Sequence, residues 1–129
     1  MKIKLNSIYV DNQEKALSFY TEKLGFKKKT DIPIGEFRWL TVVSPEDPEG
    51  TQLVLEPNNN PSVSAFQASM FKQGIPLTAF EVKKIQDEYT RMKNEGVIFT
   101  QNPKESGPVI LAIFEDGCGN LIQIYQIVS

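Results

Sequence analysis

Val82 follows Val10 by 72 residues, Gly96 follows Gly25 by 71, and Gly119 follows Gly50 by 69. Each pair holds the same place in a local pattern: the end of a first strand, the stop of a helix, and the turn before a last strand. A near-constant offset across three unlike features implies a duplicated supersecondary unit. It restricts the chain to folds built from two copies of one topology. At 129 residues the chain is the size of one ordinary domain and can bury a core without covalent staples.

The repeated unit is read from hydrophobic period. "IKLNSIYV" alternates as a strand, with Leu5, Ser7 and Tyr9 on one face and Ile8 and Val10 on the other. "DNQEKALSFYTEKLGF" predicts a helix with Asp11 or Asn12 as N-cap, Glu14 in the first turn and Gly25 as its stop. Three strands follow, around Phe26 to Lys29, at "EFRWLTVVS" and at "TQLVLEP". The second half repeats the order: a strand at "PLTAFEV", a helix at "KKIQDEYTRMKNEGV", then strands near Ile98, at "VILAIFE" and at "LIQIYQI". The fold class is therefore α+β, two tandem βαβββ modules over residues 1–57 and 75–129, joined by a helix over 61–73.

Composition removes several function classes. No histidine is present, which excludes Ser-His-Asp and Cys-His nucleophile arrangements and the commonest metal ligand. A net charge of −2 offers no basic footprint for nucleic acid or an anionic membrane. The single cysteine, Cys118, cannot form an internal disulfide and fits a reducing compartment. With no apolar run of membrane-spanning length and no leader-like N-terminus, the expectation is a cytoplasmic protein.

"IYVDNQEKALSFYTEKLGF", "AFEVKKIQDEYTRMKNEGV" and "DGCGNLIQIYQ", in this order, resemble the vicinal oxygen chelate superfamily of glyoxalases, bleomycin resistance proteins and dioxygenases. The resemblance covers essentially the whole chain. It implies two modules whose strands curl into an open, barrel-like mixed sheet with a cleft, and commonly a homodimer. Metal-using members take one ligand from the first strand and one from the last strand of each module. Carried onto this sequence, those positions are Leu5 and Leu77, five before Val10 and Val82, and Val54 and Gln123, four after Gly50 and Gly119. Leucine and valine have no lone pair to donate, and a neutral amide is a weak ligand beside a carboxylate. The expectation is no metal and no cofactor.

Alternation adds residues to that face. Ser7 shares a side with Leu5, Glu81 with Leu77, Glu56 with Val54 and Tyr125 with Gln123. Arg38 is a further candidate whose facing the pattern leaves open. Leu5, Leu77 and Val54 also read as ordinary packing, Trp39 and Phe37 as core, and Glu56 as a solvated strand end. Tyr125 suits a pocket, because its ring can stack while its hydroxyl finds a partner.

Three functions compete. A binding module would hold a small, partly apolar molecule between these residues, since ligand pockets combine apolar walls with a few polar groups. A glyoxalase- or dioxygenase-type enzyme would need a catalytic set other than the family's metal, such as Glu56 or Glu81 as a base with a raised pKa. An interaction or regulatory protein would have its cleft filled by side chains.

Overall fold

The computed structural model describes residues 1–128 and divides into two compact units between Gln67 and Ala68. The first contains β1 (Leu5–Val10), α1 (Gln13–Ser18), β2 (Lys27–Ile34), β3 (Phe37–Val43) and β4 (Gln52–Pro57). Its sheet runs β1-β4-β3-β2, with β1 parallel to β4 and the other pairs antiparallel. The second contains β5 (Thr78–Glu81), α3 (Ile85–Asn94), β6 (Phe99–Ser106), β7 (Val109–Glu115) and β8 (Leu121–Ile127). Its sheet runs β5-β8-β7-β6, again with one parallel pair, β5 and β8. The fold is α+β, two open four-stranded mixed sheets of identical topology.

Local chemistry explains the element ends. Asn12 caps α1 by accepting the Lys15 N–H at 2.9 Å. The helix then continues as a π-helical turn over Phe19–Lys23, in which the Leu24 N–H reaches back five residues to the Phe19 carbonyl. Gly25 closes it at φ +86, and Gly96 closes α3 at φ +89, a left-handed conformation that glycine adopts without a Cβ penalty.

The core of each unit lies between its helix and one sheet face. Ile8, Val10, Leu40 and Leu55 are buried together with Ala16 and Tyr20 of the helical segment, and α1 packs against β3 and β4. Ala112, Phe114, Ile122 and Ile124 are buried under Ile85 and Met92 of α3, while the Tyr89 and Phe99 rings meet edge to face at 4.7 Å. Alternation accounts for this: every second strand residue is apolar and packed, and directly paired residues share a face.

Two strands differ from expectation. β2 reaches Ile34 instead of ending near Lys29, and β6 runs through the polar stretch "FTQNPKES". Both are edge strands with register shifts, where Pro33 and Pro103 cost no central ladder bond and alternation is weak.

Between the modules, α2 (Pro61–Gln73) exposes Phe66 and Phe71 and buries only Gln67. The Gln67 amide donates to the Tyr9 carbonyl at 2.9 Å and accepts from the Asn58 amide at 2.7 Å, tying the middle of α2 to edge strand β1. No helix among the described residues is long and apolar enough to cross a membrane.

Candidate functional site

Register decides which residues share the sheet face opposite each helix. In the first unit Leu5 pairs with Gln52, Ser7 with Val54 and Tyr9 with Glu56, and Val54 pairs in turn with Thr41. In the second, Ala79 pairs with Gln123 and Glu81 with Tyr125, which lie opposite Ile113 and Leu111. Leu77 stands just before β5, and its N–H donates to the Leu121 carbonyl at 3.0 Å. Leu5 and Leu77, Ser7 and Ala79, and Val54 and Gln123 thus occupy equivalent places in the two sheets. Within each unit, the sequence-predicted residues lie together on one face, apart from Arg38.

Their burial is graded. Val54 is packed at 3% exposure, whereas Leu5 is 49% exposed and so is not the core residue its side chain suggests. Glu56, Leu77, Gln123 and Tyr125 are half-buried, and Ser7, Ala79 and Glu81 are exposed. Trp39 and Phe37, expected in the core, are half-buried on this same face, because they alternate with Leu40 and Arg38 on the helix side. Opposite them on β2 are Ile32 and Ile34, exposed by 53% and 59%.

Gln52 is a functional candidate that the pattern reading missed. Its Oε1 accepts the Thr41 hydroxyl at 2.7 Å beside Leu5. Its position two before Val54, on the same side, was the available signal.

Arg38 belongs elsewhere. It lies on the helix-bearing face and holds Asp31 through two bonds, Nε to Oδ1 at 2.9 Å and Nη2 to Oδ2 at 2.7 Å, with Glu14 accepting from Nη1 at 2.7 Å. A fork–fork pair of this kind spends the guanidinium donors on carboxylates, which takes Arg38 out of the ligand-facing set. The hydrogen bonds from Arg38 lower the Asp31 pKa from 3.8 to about 2. A depressed carboxylate pKa contributes stability that is present above the unfolded value and is lost as pH falls through the folded one. Carboxyl-detected NMR titration is expected to place the Asp31 midpoint near 2 in the wild type and back toward 3.8 in Arg38→Ala. An unchanged midpoint in the variant would refute the assignment.

The residues at the superfamily's ligand positions do not fit a metal ion. Three are aliphatic and the fourth, Gln123, is a neutral amide. Among the described residues no three His, Cys, Asp or Glu side chains gather as a ligand group.

Residues 2–124 match the family described as Glyoxalase/Bleomycin resistance protein/Dioxygenase superfamily. The chain is 55% identical over 126 residues to the uncharacterized protein YurT of Bacillus subtilis (strain 168), covering 98% of this chain and 99% of the relative. It is 34% identical over 124 residues to the uncharacterized protein YetH of the same strain, covering 93% of each. Among solved structures, UcmS2 superposes with a TM-score of 0.83 at 32% identity over 97% of both chains. TnmS3, an antibiotic binding protein from Streptomyces sp. CB03234, superposes with a TM-score of 0.78 at 28% identity, over 98% of this chain and 96% of that one.

Proposed function

This chain belongs to the Glyoxalase/Bleomycin resistance protein/Dioxygenase superfamily, and we propose that it uses the scaffold to hold a small, partly apolar molecule without a metal ion. The observation that carries this reading is the matched pair of positions in the two sheets. Ser7 beside Val54 and Ala79 beside Gln123 set a small, exposed side chain next to an aliphatic or amide neighbour where metal-using relatives carry ligands. Such positions offer contact area and hydrogen bonds to a small organic molecule and no ligand set for a metal ion. The likeness to the antibiotic binding protein TnmS3 supports the same class of ligand.

Each unit brings its own candidate binding face: Leu5, Ser7, Val54 and Glu56 in the first, and Leu77, Glu81, Gln123 and Tyr125 in the second. Gln123 orients the ligand, since an amide both donates and accepts, and Tyr125 supplies a ring to stack. A homodimer in a reducing cytoplasmic setting belongs to the same reading. α2 exposes Phe66 and Phe71 with Lys72 as its one charge, and Cys118 is a buried, reduced cysteine. A monomer mass by sedimentation at micromolar concentration would remove the dimer.

Trp39, the only tryptophan, reports on the open face of the first unit. Titration with a panel of planar antibiotics and small metabolites is expected to give saturable quenching. At a hundredfold excess over Kd, a ligand should add about 2.7 kcal/mol of stability in a thermal-shift assay. A panel in which no compound alters either signal would defeat the proposal.

A further inference from the structure

The two sheets share a topology but not a completed ladder. β7 and β8 pair at seven consecutive positions, from Val109–Ile127 to Glu115–Leu121. β3 and β4 pair at only three, and their register stops at Thr41–Val54. The pairs that would come next by equivalence with Ala112–Ile124, Leu111–Tyr125 and Ile110–Gln126 are Leu40–Leu55, Trp39–Glu56 and Arg38–Pro57. None of the three forms. Pro57 cannot donate a backbone hydrogen bond, which removes one link, and a side chain occupies the place of others.

That side chain is Gln13, the first residue of α1 and almost fully buried. Its Nε2 donates to the Arg38 carbonyl at 2.8 Å and to the Leu55 carbonyl at 2.9 Å, and its Oε1 accepts the Arg38 N–H at 3.1 Å. One amide thus does for β3 and β4 what a stretch of paired backbone does for β7 and β8. The equivalent first residue of α3 is Ile85, which has no polar group to insert, and there the ladder is complete.

We infer that Gln13 is a positioning residue that keeps β3 parted from β4, and that the resulting notch between Trp39 and Glu56 receives the flat part of the ligand. The β2–β3 arm beyond the split carries a cross-strand ladder of Ile32 against Trp39 and Ile34 against Phe37, an apolar surface with both isoleucines more than half exposed. Glu56, half-buried across the gap, suits a planar molecule bearing a cationic or amine group, because charge and ring face then act together. That a ligand uses the notch rests on the binding function proposed above. That Gln13 holds it open does not.

Two variants test this with opposite signs. Gln13→Ile gives the first module the residue of the second. The ladder is expected to close, lowering acrylamide quenching of Trp39 and weakening acridine orange binding in equilibrium dialysis by about tenfold or more. Gln13→Glu keeps the size but sets a carboxylate against two carbonyls. Trp39 quenching is expected to rise at neutral pH and to return toward wild type as acidification protonates the new carboxyl. A side chain that merely stabilised the fold would lower the melting temperature in both variants and leave quenching and affinity of the folded protein unchanged, and that result overturns the inference. Should Gln13→Ile fail to fold, the pH-reversible response of Gln13→Glu decides, and its absence has the same force. A wild-type protein that binds no acridine orange and no other planar probe removes the binding function, while Trp39 quenching still judges the role of Gln13.

Discussion

Asp116→Ala is expected to lower the thermal unfolding midpoint by roughly 10 °C, on the basis of roughly 3 kcal/mol lost in a chain of this size. Asp116 is buried at 1% exposure in the turn before β8. Its Oδ1 accepts the N–H groups of Cys118 at 2.7 Å and Asn120 at 3.0 Å, and its Oδ2 accepts the Asn120 amide at 2.8 Å. Alanine leaves those donors without the carboxylate in a place water does not reach, and each orphaned buried group costs about 1–3 kcal/mol. The first module supplies an internal control. Asp47 precedes Gly50 as Asp116 precedes Gly119, but it is exposed, and Asp47→Ala should change stability by no more than about 0.5 kcal/mol. Calorimetric melting of both variants checks the contrast, and equal effects would show that Asp116 does not organise its turn.

The second large effect concerns ligand and not fold. Ser7→Trp and Ala79→Trp place a bulky ring at equivalent exposed positions, beside Val54 and Gln123. Exposed substitutions away from caps and networks usually alter stability by less than about 0.5 kcal/mol, so both variants should melt near the wild type. A ring in the space meant for a ligand should weaken binding by about a hundredfold, or roughly 2.8 kcal/mol. Titration of each variant against a compound that quenches Trp39 in the wild type would measure this. Unchanged affinity in both would place the ligand away from these faces.

The duplication was readable because it was written three times, in a strand end, a helix stop and a turn. The strands that could be read were those whose alternation is enforced by burial, such as "LNSIYV" and "LIQIYQI". β2 and β6 were less legible, since an edge strand with a bulge and a proline need not alternate. The facing of Arg38 depended on Asp31 and Glu14, neither of which any sequence spacing ties to it. Trp39 read as core because large aromatics usually are, and only its register with Ile32 puts it on the open side. Gln13 left a trace that could have been followed: the repeat aligns it with Ile85, so a polar residue stands where the second copy has a packed aliphatic. Such a mismatch between copies marks a place where the halves have been put to different uses.

The residues at the superfamily's metal positions make the central claim sharp, since Leu5, Val54, Leu77 and Gln123 offer three aliphatic side chains and one neutral amide, a set that does not fit a metal ion. The most direct test is isothermal titration of a Trp39-quenching compound into the protein before and after exhaustive chelation. The account predicts saturable binding with the same affinity in both samples. Binding that disappears on chelation and returns with added zinc, nickel, iron or manganese would contradict it.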